Sequence, residues 1–181
     1  NTAKIILVQS GGRHVHFIDN GSGVWINESG KVRTIATITG GYQLTEPNGS
    51  VFVFDTSGNI TEKRDSNNNN LVYSYTSTQL TNIADNFGRS MNLSYKVNGH
   101  LATLGTPIGT FTYSYDTNNN LTMLSKPDTT TRQYIYDDPN DVHNLTGIID
   151  ETGARIMTVG YDTNDRATSS ALAGDTEQMT I

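Results

Sequence analysis

The chain has 181 residues, a formal net charge of -6, a pI of about 5.0 and no cysteine. Disulfides, thiolate chemistry and cysteine zinc sites are excluded, and an acidic chain without a basic patch argues against nucleic acid as a partner. No apolar run approaches the roughly 18 residues of a membrane helix, and an apolar fraction of 34% with a mean hydropathy of -0.46 is lean for a globular core. The 19 Asn and 26 Thr describe many short strands joined by many turns, because Thr favours strands and Asn favours turns. The first residue is Asn, not Met, so the chain is expected to be a piece of a longer polypeptide.

In chain order, residues 1–40 read as degenerate leading β-hairpins. Val15 and Phe17 alternate before an Asn20-Gly21 turn. Val32, Ile35 and Ile38 then recur at spacing three, but β-branched Thr34, Thr37 and Thr39 and the stop at Gly40-Gly41 favour a strand. From Tyr42 the pattern is clearer. Tyr42 and Leu44 alternate, Asn48-Gly49 signals a two-residue hairpin turn, and Phe52 and Phe54 alternate beyond it. Asn98-Gly99 gives the same signal between Tyr95 and Leu101.

The stretch TFTYSYDTNNNLTMLSK, from Thr110, sets the unit: an alternating strand, a polar turn and a second apolar run. It recurs. The anchoring aromatics are Phe54, Tyr75, Tyr95, Tyr115, Tyr136 and Tyr161, and subtracting neighbouring positions gives 21, 20, 20, 21 and 25. After each turn comes an apolar residue: Ile60, Leu80, Leu101, Leu121, Leu145 and, more weakly, Ala167. A period near 20 marks a repeat architecture. The interval beginning at Tyr136 is lengthened by DDPNDVH, and Pro139 within it predicts a protruding loop. Residues 175–181 have no repeat partner and read as a flexible tail.

One feature resists a flat strand. Leu80 and Ile83, Leu101 and Leu104, Leu121 and Leu124, and Leu145 and Ile148 are each three apart, which points them to opposite faces of a regular strand. A bulge, a strong twist or burial on both faces would reconcile them.

These motifs resemble the YD-repeat (RHS-repeat) family, found in bacterial Rhs proteins, toxin-complex C components and teneurins. Tyr115-Asp116, Tyr136-Asp137 and Tyr161-Asp162 carry the Tyr-Asp pair, and SGNIT at Ser57 and NNNLT at Asn118 look like its Gly-Asn-Leu-Thr half-motif. The closest stretch runs from Leu145 to Gly174, and the likeness covers 41–174 well. The repeats at Phe54, Tyr75 and Tyr95 lack the Asp partner or the Tyr, and an Asp-Pro-x-Gly-Leu core motif is missing. The resemblance implies β-hairpins joined into a strip that, in complete proteins, spirals into a shell around a C-terminal effector domain. It implies no catalytic residue.

The fold class expected is all-β: consecutive antiparallel hairpins of about 20–21 residues forming an open, curved sheet, with 41–174 as the repeats of a single domain. The function expected is a non-catalytic structural segment of a large secreted or cell-surface protein, with bacterial origin favoured. Its partners would be further repeats of the parent polypeptide, an effector domain, and other copies through edge strands. The alternatives are a carbohydrate-binding module, with Tyr113, Tyr134 and Trp25 as the stacking candidates, and a glycoside-acting enzyme using some of the carboxylates.

No cofactor or metal is expected. His14 and His16 share a strand face but lack an evident third ligand. Asp137, Asp138 and Asp141 crowd one loop without the spacing of an EF-hand. Sequons occur at Asn20, Asn27, Asn48, Asn59, Asn92, Asn120 and Asn144, and of these Asn59, Asn120 and Asn144 belong to the repeat's own turn, where Asn serves geometry.

Overall fold

The computed structural model describes residues 4–27, 33–173 and 176–180. Among these the chain is all-β apart from 3-10 conformation at Ser10–Gly12 and at Ala173. It divides into two compact units, Asn1–Ser90 and Met91–Ile181. The first carries β1 (Lys4–Val8), β2 (His14–Asp19), β3 (Val24–Asn27), β4 (Thr34–Ile38), β5 (Gly41–Thr45), β6 (Val51–Asp55), β7 (Ile60–Arg64), β8 (Asn70–Thr76) and β9 (Gln79–Asp85). The second carries β10 (Ser90–Tyr95), β11 (Leu101–Thr106), β12 (Gly109–Tyr115), β13 (Leu121–Ser125), β14 (Thr131–Ile135), β15 (Gly147–Ile149), β16 (Arg155–Tyr161), β17 (Ala167–Leu172) and β18 (Thr176–Thr180). Within each unit every strand pairs antiparallel with its neighbour in sequence. Within each unit the strands therefore form an open meander built from the alternating segments of the sequence.

The enclosed core lies in the first unit. Val15, Phe17, Ile35 and Leu44 are buried, and Ile5, Leu7, Trp25, Tyr42, Phe52 and Phe54 pack against them. Cross-strand register explains the set. Leu7 faces Val15 and Ile5 faces Phe17, while Trp25, Ile35, Leu44 and Phe52 form one row across β3 to β6. The apolar face of the β1–β2 hairpin folds over the apolar face of β4–β6, which curls this part of the sheet. Gly41 allows the close approach of β5 to β6: a β-carbon there would collide with the Phe54 carbonyl oxygen.

The second unit is thinner. Ala171 is the one apolar side chain of this unit in the buried core among those described. Its two sheet faces nevertheless differ. Leu104, Phe111, Tyr113, Leu124, Tyr134, Ile148 and Met157 share one face by register, and Thr103, Thr110, Thr112, Ser125 and Thr131 share the other. The alternation legible in the sequence is thus an apolar side and a Ser/Thr side of one layer.

Among the described residues, eight of the connections are five-residue turns of one kind. Asp55 N–H donates to Asn59 O and Gly58 N–H donates back to Asp55 O. Glu46–Ser50, Asp65–Asn69, Lys96–His100, Asp116–Asn120, Lys126–Thr130, Asp150–Ala154 and Asp162–Arg166 repeat both bonds. The fourth residue is left-handed, as at Gly49 (φ 84), Asn68 (φ 64) and Asn119 (φ 68), which is why Gly or Asn stands there in most of these turns, with Thr129 (φ 70) and Asp165 (φ 59) in the other two. This corrects the two-residue turn expected at Asn48-Gly49 and Asn98-Gly99. The loop has three residues, with Gly at the left-handed position, and Pro47 precedes Asn48 with its φ already fixed.

One further expectation is corrected. Residues 175 and 181 of the expected tail lie outside the described residues, but Thr176–Thr180 forms β18 on β17. An edge strand offers unpaired N–H and C=O groups to any extended neighbour, so a segment without the Tyr-Asp motif can still join the ladder. The loop after Tyr136 is exposed at Pro139, Asn140, Val142 and His143, and it is also latched to a neighbouring turn, as described below.

Candidate functional site

The recurring constellation is a rung built from the Tyr-Asp pair and the half-motif after it. In β12–β13, Tyr113 faces Leu124 and Tyr115 faces Leu121, with a register shift between Ser114 and Tyr115. Thr122 is the extra residue. The same shift occurs at Val53/Phe54, Ser74/Tyr75, Ser94/Tyr95 and Gly160/Tyr161. One bulge per repeat is what puts Leu80 and Ile83, Leu101 and Leu104, and Leu121 and Leu124 on a single face. The Thr of the half-motif fills the bulge: the hydroxyls of Thr61, Thr81 and Thr122 donate to the carbonyls of Val53 (3.3 Å), Ser74 (3.2 Å) and Ser114 (3.3 Å).

The anchor tyrosine links one rung to the previous one. Tyr75 Oη donates to Ile60 O at 3.0 Å, Tyr115 Oη to Leu101 O at 3.0 Å and Tyr161 Oη to Leu145 O at 3.1 Å. Each acceptor belongs to the post-turn apolar residue of the preceding repeat. The Tyr115 ring stacks on His100 with centroids 4.8 Å apart, and Lys96 Nζ lies 5.1 Å from its centroid. Burial, first, pushes the phenols of Tyr115 and Tyr136 up. Phe54 has no hydroxyl and contributes to the core instead.

The Asp after the anchor caps the turn. Asp116 Oδ1 accepts the N–H groups of Asn118 (2.9 Å) and Asn120 (2.8 Å), and Oδ2 accepts Asn120 Nδ2 (3.0 Å). Asp55 does the same with Ser57 and Asn59, and Asp162 uses Asn164 and the Arg166 guanidinium. Asp65 and Asp85 cap turns at the other ends of their strands. Asn side chains also latch neighbouring turns: Asn98 Nδ2 donates to Asn119 Oδ1 at 2.7 Å, and Asn144 Nδ2 to Asp165 Oδ1 at 3.3 Å.

These donors hold the carboxyls below their ordinary range: the Asn59 and Asn69 amides for Asp55 and Asp65, and the Arg89 N–H for Asp85. At Asp116 burial works the other way and is outweighed by the N–H and side chain of Asn120. Glu151 is held down to about 2 by Lys126, its own backbone N–H and Arg132. Groups whose folded pKa is depressed stabilise the fold above their unfolded pKa, near 4, and lose that contribution as pH falls toward the folded value. The melting temperature should therefore be level near neutrality and fall progressively below about pH 4. Scanning calorimetry across this range checks it, and a melting temperature unchanged down to about pH 2.5 would contradict the capping role.

The loop after Tyr136 docks on this system. Asn120, 8% exposed, donates from Nδ2 to Val142 O at 2.7 Å and meets His143 Nδ1 at 2.7 Å through Oδ1. Because the Asn120 Nδ2 already donates, its Oδ1 accepts and His143 Nδ1 carries the proton. Thr146 Oγ1 bonds Asp137, and Asn144 Nδ2 bonds Asp138 at 2.9 Å. Polar partners inside the unit therefore outweigh the missing donor of Pro139. Asn120→Ala should release this loop and cost about 1–3 kcal/mol. Faster amide exchange over 137–146 than in the wild type is the expected readout.

The stacking candidates are placed differently from one another. Trp25 packs on the core and donates from Nε1 to Thr37 Oγ1 at 3.2 Å. Tyr113 and Tyr134 are half-buried on the apolar face of the second unit. His14 and His16 are exposed on one face of β2 opposite Val8 and Ile6, apart from His100 and His143 in sequence. The sequon at Asn27 runs into residues outside those described. The functions of the bulge Thr and of Asn120 were missed from sequence, although a Thr follows the post-turn apolar residue in every repeat but that of Tyr95, where Ala102 stands, and this was a usable signal.

No family model and no curated protein sequence matches the chain. Among solved structures it is similar to the TcdB2-TccC3-TEV crystal structure, with a TM-score of 0.48 and 14% identity over 96% of this chain and 12% of that one. The TcdB2-TccC3-Cdc42 structure gives 0.44 and 14% over 96% and 12%, and the TcdB2-TccC3 structure 0.45 and 13% over 96% and 13%. The chain thus spans 12–13% of the length of those chains.

Proposed function

We propose that the chain is a non-catalytic YD-repeat wall segment of a larger secreted or cell-surface, toxin-like protein. In that protein it would form part of a β-shell around an effector domain. The observation that carries this reading is the rung, seen at Tyr75, Tyr115 and Tyr161. A single-layer sheet buries little apolar surface and needs another source of rigidity. Bonds from each repeat to its predecessor, capped turns and filled bulges supply it without a second layer, which suits a wall. The titratable groups of the repeats are spent on turns and neighbouring side chains, which fits a scaffold better than a catalyst.

The test is limited proteolysis of the full-length parent polypeptide. The segment downstream of the repeats should resist cleavage in the wild type and become sensitive when the rungs are broken by combined Tyr115→Ala and Tyr161→Ala. Equal sensitivity in both proteins would overturn the shell reading.

A further inference from the structure

The turn between β2 and β3 carries a group that the rungs do not use. Asn20 is followed by Gly21, as Asn48 is by Gly49 and Asn98 by Gly99. An Asn-Gly peptide can close on itself: the glycine nitrogen attacks the Asn side-chain carbon, unhindered by a β-carbon. The three sites differ in what surrounds that reaction. At Asn48 and Asn98 the glycine N–H donates to a main-chain carbonyl, Glu46 O or Lys96 O, which is too weak a base to take the proton. Each Asn Oδ1 there accepts one N–H, from Ser50 at 3.0 Å or His100 at 3.3 Å. At Asn20 the Gly21 N–H instead donates to the Asp19 carboxylate, Oδ1, at 2.8 Å. Asn20 Oδ1 accepts two donors, Ser22 N–H at 3.0 Å and Ser22 Oγ at 2.7 Å.

We infer that Asn20 is a self-catalysed deamidation site, with Asp19 as the base, the Gly21 nitrogen as nucleophile and Ser22 as the oxyanion-stabilising residue. The Gly21 nitrogen gives its proton to Asp19 and bonds to Asn20 Cγ. Negative charge develops on Oδ1, where two preorganised donors already point. The Cγ–Nδ2 bond then breaks, and ammonia leaves with the proton returned from Asp19. One water opens the resulting succinimide at either carbonyl, giving aspartate or isoaspartate. The net reaction consumes water, releases ammonia and adds one negative charge. The Asn20 backbone N–H donates to Val24 O, while its side-chain nitrogen, the leaving group, makes no hydrogen bond among the described residues. The isoaspartate product lengthens the main chain at the turn that orients β2, the strand of Phe17.

The folded chain is incubated at neutral and mildly alkaline pH and digested. The Asn, Asp and isoaspartate forms of all three Asn-Gly peptides are then quantified. Asn20 should convert several-fold faster than Asn48 and Asn98, with the excess largest at neutral pH, where hydroxide is scarce and Asp19 supplies the base. Asp19→Asn should bring Asn20 down to the rate of the other two, and Ser22→Ala should lower it in part. Asn48 and Asn98 in the same digest report unfolding, since a variant that merely unfolds would raise their rates. Equal rates at the three sites in the folded wild type would overturn the proposal, as would an Asn20 rate unchanged in both variants.

Discussion

Phe17→Ala should lower the stability of the first unit by about 3–5 kcal/mol, the range for emptying an aromatic site in a packed core. Phe17 is the one large side chain with no exposed surface among the described residues. It faces Ile5 on β1 and Asn27 on β3 by register and belongs to the cluster that joins the β1–β2 hairpin to β4–β6. Removing it takes contacts from both sides of the curl, and the half-buried neighbours have little backing with which to close the space. Urea unfolding followed by Trp25 fluorescence reads the effect, because Trp25 packs on the same cluster. A loss below about 1 kcal/mol, the scale of an ordinary surface change, would mean that the hairpin does not depend on this contact.

Tyr115→Ala should cost about 2–4 kcal/mol in the second unit. The half-buried ring stacks on His100 and lies near the Lys96 ammonium, and its hydroxyl satisfies Leu101 O. Tyr115→Phe separates the two contributions: it keeps the ring, removes the donor and should cost about 1 kcal/mol. Thr112→Ala, on the exposed face of the same strand, should stay within about 0.5 kcal/mol. Equal melting temperatures for Tyr115→Ala and Thr112→Ala would remove the rung as a source of rigidity.

The sequence by itself determined the strands and their period. Phe111, Tyr113 and Tyr115 alternate because a half-buried strand has a side-chain period of two. The Tyr-Asp-x-x-x-Asn spacing is equally local: Asp116 caps its own turn through residues two and four positions on, so the chemistry is complete within the segment. The spacing of three between Leu121 and Leu124 was visible too, but its cause was not. A bulge depends on which residue of the partner strand each one faces, and that is a property of two strands. Asn48-Gly49 is a similar case, since a dipeptide signal does not say whether a preceding Pro47 is drawn into the loop.

Only the tertiary structure decided where a core exists. Phe17, Trp25, Ile35 and Leu44 carry no repeat phase, yet they form the enclosed cluster, because the leading hairpin folds onto strands that follow it. The in-phase tyrosines line a single layer instead. The docking of residues 137–146 was equally unreadable. Pro139 and the acidic run describe an exposed loop, while its partner Asn120 lies 22 residues from Val142 and 23 from His143. Local chemistry fixes turns and alternation within a few residues. Burial and latching depend on which distant segments the folded sheet brings together.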